Sequence, residues 1–262
     1  MRRAALRLGN SAHRSQLFSS IGLETDKTIQ RDFKFFDAEL REFIHSESKK
    51  GYGRWLWKPF LINRYLERLP ENDILFYVDS GCHLNIETAS AIKKFNEYLD
   101  TTCENKVFAM QQFPNLAGNG DLYEKNYNSI DLKKRLKLTD EDFNTCQIQA
   151  TFSFFSKSNR AVDFATSWLA LCRENNHQYL RESEIKEVSP AFIEYRWDQS
   201  IFSGLMKSRG EFFQTDESWW APNWVESGKN YPIWAMRHRS GANPIAPTFA
   251  SIPDRFLTKF NI

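Results

Sequence analysis

Between residues 57 and 78 the chain changes its hydrophobic period. After Pro59, the apolar residues Leu61, Ile62, Tyr65, Leu66 and Leu69 recur at helical spacing, "PEND" supplies a turn, and Ile74–Val78 is an unbroken apolar run. The spacing predicts a helix with Pro59 as its first residue, followed by a strand whose uniform apolar character suggests cover on both faces. Further strands are expected at "KVFAMQQF" and "QATFSFFSK", with a short one at "PIWAMRHRSGANP" that runs into a basic, glycine-containing turn. Helices are expected in "RDFKFFDAELREFIH" and in "NIETASAIKKFNEYLD", where Asn85 is the candidate cap. Two more are expected in "NRAVDFATSWLALCREN", with Ala161, Phe164, Ala165, Trp168 and Cys172 inward, and around "DQSIFSGLMK", with Asp198 as cap. Helices alternating with strands predict an α/β fold: one mainly parallel central sheet flanked by helices, in a single domain spanning residues 1–262. The polar stretch 114–145, with its "AGNGD" turn, reads as an inserted lid or acceptor loop.

Composition narrows the function classes. With 41% hydrophobic and 15% aromatic residues in 262, a sizeable core is available. Lys and Arg number 35 against 33 Asp and Glu, and a net charge of +2 argues against a general nucleic-acid binder. No apolar run approaches the roughly 20 residues of a membrane-spanning helix, and nothing resembles a signal peptide, so a cytoplasmic protein is expected. Cys82, Cys103, Cys146 and Cys172 lack the paired spacing of a zinc site, which fits reduced thiols. The opening "MRRAALRLGNSAHRSQLFSSIG" reads as an amphipathic basic helix that either packs on the domain or makes peripheral contact with an anionic inner-membrane face.

Several residues have the chemistry for a site. In open α/β sheets ligands bind beyond the carboxyl ends of strands, and Asp79 stands there, followed by Ser80 and Gly81. It either takes a hydrated divalent cation that shares phosphate oxygens, or caps its own turn. Asp198 is either a helix cap or a ligand-facing carboxylate, in a segment that also carries Glu194, Arg196 and Gln199. His238, between Arg237 and Arg239, suits a metal, with the arginines on phosphate, or is a solvated loop residue. Trp55 and Trp57, ahead of Lys58, either stack on a base or sugar ring or belong to the core. Cys82 and His83 have no partner cluster and read as structural.

The blocks "GYGRWLWKPFLI", "NDILFYVDSGCHLN", "QATFSFFSK" and "FIEYRWDQSIFSGLMK", with a weaker one at "PIWAMRHRS", resemble in order a bacterial family of GT-A-fold nucleotide-sugar glycosyltransferases of capsule and lipopolysaccharide biosynthesis, distantly glycogenin-like. The resemblance implies transfer of a sugar from a nucleotide-diphosphate donor, UDP-linked above all, to a glycan or lipid-linked acceptor, with Mn²⁺ or Mg²⁺ assisting. It implies that Asp79 is the first acid of a D-x-D motif, that Lys58, Ser80, Gly81, Trp55, Trp57 and Arg237 surround the donor, that Asp198 and Gln199 line the sugar pocket, and that His238 completes the metal site. Gly81 replaces the second D-x-D acid, and the family's opening strand is missing ahead of the first helix. The competing reading is a degenerate GT-A domain that binds a nucleotide sugar or glycan without turnover.

Overall fold

The computed structural model describes residues 2–25, 27–29, 38–47, 49, 51–114, 122–218, 221 and 224–237. In chain order, its regular elements begin with α1 (Arg2–Ser15), α2 (Ala38–Ser46), α3 (Trp57–Arg68), β1 (Ile74–Val78), β2 (His83–Leu84), α4 (Ala89–Asn105) and β3 (Val107–Gln111). Three short helices follow, α5 (Glu124–Tyr127), α6 (Ile130–Leu136) and α7 (Asp140–Phe143), then β4 (Phe152–Ser156) and α8 (Asn159–His177). The last are α9 (Trp197–Ser208), β5 (Phe212–Thr215), α10 (Trp224–Ser227) and β6 (Ile233–Trp234). Two compact units result: one of Met1–Leu23, Asp79–Tyr98 and Asp216–Ile262, the other of Glu24–Val78 and Leu99–Thr215.

The larger unit, Glu24–Val78 with Leu99–Thr215, holds a four-stranded sheet of order β1-β4-β3-β5. The expected α/β mixture is present, but the strand directions differ from the mainly parallel expectation. β4 pairs antiparallel with both β1 and β3, and only β3 and β5 run parallel. Cover on both faces is the expectation for the Ile74–Val78 run, but β1 is half-buried along its length at one edge of the sheet, and the nearly complete burial falls instead on the central strands β3 and β4. Cover on both faces is common in parallel sheets but does not set direction, which depends on how distant segments return to the sheet.

One sheet face carries a row of phenylalanines in strand order. Phe76 stacks on Phe154 at 4.5 Å between centroids and Phe154 on Phe108 at 5.6 Å, and Phe212 packs tilted against Phe108 at 6.0 Å. The other face meets the main core, where Leu61, Ile62 and Leu66 of α3, Phe164 and Trp168 of α8, and Ile201, Phe202 and Leu205 of α9 are buried. The five inward residues expected on α8 are all buried.

Local signals explain the helix ends, with two corrections. Pro59 is the third residue of α3, not the first. That is tolerated because no amide of the first turn has an intrahelical acceptor. α4 starts at Ala89, where the Thr88 hydroxyl accepts from the Ala91 amide at 3.2 Å; Asn85 instead donates to the carbonyls of Lys229 and Tyr231. The described part of the 114–145 stretch, from residue 122 onward, forms α5 to α7, and Leu132 joins the main core. Its polar average comes from the outward sides of short helices.

In the smaller unit β2 and β6 form an antiparallel pair, and Trp224, Tyr231 and Trp234 make a local core. α1 buries Ala4, Ala5, Leu8 and Ala12, and buried Arg7 donates to the carbonyls of Ser80 at 3.3 Å and Cys82 at 2.9 Å. Burial lowers the pKa of that guanidinium. Packing of α1 within this unit is therefore one of the two roles its sequence offers. None of the four cysteines is in a disulfide.

The phenylalanine row gives a stability test. Phe154 is fully buried between two rings, whereas Phe212 at the row's end is 39% exposed. Phe154→Ala is expected to cost about 3–5 kcal/mol in urea unfolding, and Phe212→Ala distinctly less, because part of its ring is already in water. Equal losses would show that the row is not graded by burial.

Candidate functional site

The site is built around two places where the backbone enters the left-handed region. From Gly51 to Trp55 every φ is positive: 62° at Gly51, 49° at Tyr52, 78° at Gly53, 51° at Arg54 and 60° at Trp55. Such a conformation costs roughly 1–2 kcal/mol per non-glycine residue, so other contacts must hold it. The Gly53 amide donates to the Glu47 carbonyl at 3.0 Å, and Arg54 Nε donates to Glu47 Oε2 at 2.9 Å. Gly53 leaves no room for a side chain, since a Cβ there would lie 2.9 Å from the Ile44 Cα. The second place is Trp197, with φ 40°, at the start of α9. The two meet: Trp55 and Trp197 pack with centroids 5.5 Å apart, and the Arg54 guanidinium lies 5.2 Å from the Trp197 ring. Clustered strain of this kind persists only where its surroundings over-determine it, and it marks functional positions more often than random ones.

Each strained segment delivers one member of a buried ion pair. Lys58, early in α3, places Nζ 2.8 Å from Asp198 Oδ2 and donates to the Ala150 carbonyl at 2.9 Å. Asp198 is 4% exposed. The same ammonium lies 5.6 Å from the ring of Tyr77 in β1. Burial, and then the Asp198 charge, push the nearby Cys172 thiol well above its usual range. Asp198 is not the cap expected for it. α9 begins at Trp197, and Arg196 is the capping residue, without a side-chain cap; its amide donates to Ser200 Oγ at 3.1 Å. The carboxylate still sits in the first turn, where the helix dipole favours it.

Beside the pair, α9 displays a polar network. Gln199 Nε2 donates to Gln147 Oε1 at 2.9 Å and to Gln112 Oε1 at 3.3 Å. Both amide hydrogens are thereby used, which fixes the orientation of the group and leaves its carbonyl oxygen as an acceptor. Gln112 Oε1 also accepts from Arg196 at 3.2 Å, and the Arg196 guanidinium lies 3.7 Å from the Tyr127 ring centroid. Behind them Gln147 donates to fully buried Glu124 at 3.0 Å. Glu124 pairs with Lys207 at 2.9 Å and accepts from Asn128 at 3.1 Å and from Ser203. The anchors are dry, whereas Gln112, Arg196 and Gln199 are half-buried and Glu194 is exposed.

The sequence candidates are thus only partly assembled. Lys58, Asp198, Gln199, Trp55 and Trp57 share the larger unit; Trp57 Nε1 donates to the Gly51 carbonyl at 3.3 Å, so both tryptophans at least buttress the turn. Asp79, Ser80, Gly81 and Arg237 belong to the smaller unit. Asp79 is half-buried and its carbonyl accepts from the Cys82 amide at 2.9 Å, while Arg237 is exposed. His238 lies outside the described residues. Among the described residues no group of three His, Cys, Asp or Glu side chains converges as a metal site requires.

Gln112, Glu124, Tyr127, Gln147 and Lys207 were not among the candidates the sequence suggested. A signal existed for some of them. Arg196, Gln199, Ser200, Ser203 and Lys207 form a polar stripe at helical spacing on an otherwise apolar helix, and "CQIQA" alternates glutamine with apolar residues. Buried Gln147 and Gln149 must find partners.

The ion pair predicts a non-additive cycle. Asp198→Asn or Lys58→Met alone leaves a buried charge unpaired and is expected to cost about 3–5 kcal/mol in chemical denaturation. The K58M/D198N double variant is expected to cost clearly less than the sum of the two. Additive losses would mean that the charges do not depend on each other.

Comparisons with protein-family models, curated proteins and solved structures find no match.

Proposed function

We propose that the chain is a GT-A-like glycosyltransferase that moves a sugar from a nucleotide-diphosphate donor, UDP-linked in the first instance, to a glycan or lipid-linked acceptor. The observation that carries this reading is the array of oriented hydrogen-bonding groups around Gln199, set beside the buried Lys58–Asp198 pair. A sugar ring offers hydroxyls that both donate and accept. The Gln199 carbonyl oxygen accepts, and the Gln112 amide and Arg196 guanidinium donate, all from positions fixed before any ligand arrives. The parallel β3–β5 pair fits a GT-A-like sheet, and the antiparallel β1–β4–β3 part is a departure from it.

In this reading Asp198 and Gln199 line the sugar pocket. Glycosyl transfer passes through an oxocarbenium-like state, and a carboxylate held in a low-dielectric setting favours the positive charge that develops there. Lys58 holds Asp198 in place, and Arg196 adds positive charge for the departing diphosphate. Asp79 is assigned to the donor phosphates by its position immediately after β1. A peripheral contact with an anionic, inner-face membrane surface would use the exposed side of α1, with Arg3, Leu6, His13 and Arg14. Among the described residues, no helix is long and apolar enough to cross a membrane.

A second reading, binding without turnover, is favoured by one observation: Asp198 is almost inaccessible behind its lysine. The two readings part in a donor panel of UDP-, GDP- and CMP-sugars, with and without Mn²⁺, followed by calorimetry and by nucleotide release. The transferase is expected to release nucleoside diphosphate. Gln199→Ala, checked for folding by circular dichroism, is expected to lower kcat/KM by about 100-fold or more, the scale of losing an oriented transition-state contact. Donor binding with no release of nucleotide would leave the binding module. Full turnover in both Asp79→Asn and Asp198→Asn would remove the proposed mechanism.

A further inference from the structure

Exposed aliphatic side chains gather at the start of the chain. Leu6, Leu17, Ile21 and Leu23 are 57%, 37%, 40% and 41% exposed, and residues 1–23 hold Arg2, Arg3, Arg7 and Arg14 but no Asp or Glu. On α1 the exposed side chains Arg3, Leu6, Asn10, His13 and Arg14 fall within an arc of about 100°. The remaining sides, with Ala4, Ala5, Leu8, Ser11 and Ala12, are buried, and Arg7 is turned inward onto the Ser80 and Cys82 carbonyls. A leucine among basic residues is thus held outward by a helix whose other sides are committed. Among the described residues neither Arg3 nor Arg14 has a carboxylate partner.

The chain after α1 extends the same surface. A Cβ at Gly9 would lie 2.8 Å from Leu23 Cδ1, so Leu23 rests on the helix at Gly9, one turn from Leu6. The stretch 16–23 therefore doubles back along α1, with Leu17 near the helix end and Ile21 close to Leu23. Phe18 is turned the other way, edge-on to buried Phe95 of α4 at 5.7 Å. That contact anchors the stretch, while Ser19, Ser20 and Gly22 among the aliphatics are small and exposed.

We infer that α1 and the stretch 16–23 form a docking surface for an anionic lipid bilayer, with Leu6, Leu17, Ile21 and Leu23 entering the boundary between headgroups and acyl chains and Arg3 and Arg14 facing lipid phosphates. This docking rests on the peripheral membrane contact proposed above, and it works whether or not a sugar is transferred. Charge decides the class of partner. A surface with arginines and no acid fits a negative plane, and a few cations with a few aliphatics give weak, reversible attachment rather than a permanent anchor. A protein interface would centre on aromatic anchors, whereas here the aromatic residue, Phe18, points inward. Two copies meeting through this face about a two-fold axis would set arginine against arginine.

The test is co-sedimentation of the full chain with vesicles of phosphatidylcholine alone and with vesicles that mix phosphatidylcholine and phosphatidylglycerol, at low and high salt. Binding to the anionic vesicles is expected to be about tenfold tighter or more, and to weaken as salt rises. R3E/R14E is expected to abolish the preference for anionic lipid, and L6S/I21S to weaken binding several-fold. Every substituted side chain is exposed, and circular dichroism checks that both variants fold; should L6S/I21S unfold, Leu17→Ser serves in its place with a smaller loss. No binding to anionic vesicles, equal binding to neutral and anionic ones, or unchanged binding in both variants would overturn the docking surface. So would a lipid-free dimer that L6S/I21S dissociates, since the face would then belong to a second copy. Nucleotide release from donor sugars, measured without vesicles, reports on the transferase alone. Lipid binding without release would keep the docking surface and remove the transferase, and release without lipid binding would do the reverse.

Discussion

The larger unit is organised around one electrostatic contact. Lys58 and Asp198 lie 140 positions apart in the sequence, and each would be costly to bury alone. Together, and with the Ala150 carbonyl taking a further hydrogen of the ammonium, they satisfy each other in the dry space where α3, α9 and the approach to β4 converge. The contact specifies more than it stabilises, because desolvation consumes much of the attraction between the charges. What it specifies is the rotation of α9, and with it which residues of that helix enter the core and which form the polar network.

The cost of the arrangement is visible on either side of the pair. The left-handed run from Gly51 to Trp55 and the positive φ of Trp197 are unfavourable locally, and they occur where the chain must turn sharply to present Lys58 and Asp198 to each other. Packing of Trp55 on Trp197, and the hold of Glu47 on the turn, offset that strain. A second buried pair, Lys207 with Glu124, sits farther along the same helix. α9 is thus held by a charge near each end, with the glutamines between them oriented by their neighbours. A set of polar groups fixed in this way is suited to recognising a ligand of many hydroxyls. This is why the glycosyl-transfer reading rests on Gln199 and its partners more than on any single acid.

Much of the fold could be read along the chain because it follows from local period. The inward side of α8 is fixed by spacing alone, since Ala161, Phe164, Ala165, Trp168 and Cys172 recur on one helical face. The strands at Ile74–Val78 and Phe152–Ser156 also follow from their apolar runs. Strand direction does not. β1 and β4 are separated by more than seventy residues, and whether they run parallel or antiparallel depends on the path between them, which leaves no mark on either run. The caps show a similar limit over a shorter distance. Asn85 and Asp198 are good capping residues by type, yet Thr88 takes one role, and Asp198 is drawn inward by a lysine.

For the site, the sequence by itself determined the chemical inventory: a carboxylate after a strand, an Arg-Trp-Asp-Gln helix entrance, a lysine after two tryptophans, and a polar stripe on α9. Only the tertiary structure decided which of these meet. It joined Lys58 to Asp198, recruited Gln112 and Gln147 from separate segments to hold Gln199, and put Asp79 with Arg7 and α1 in the other unit. The physical reason is that side-chain spacing encodes periodicity, which is local, whereas pairing of buried charges and amides is a long-range condition. Each such group must find a partner, and only the folded chain determines which one is within reach.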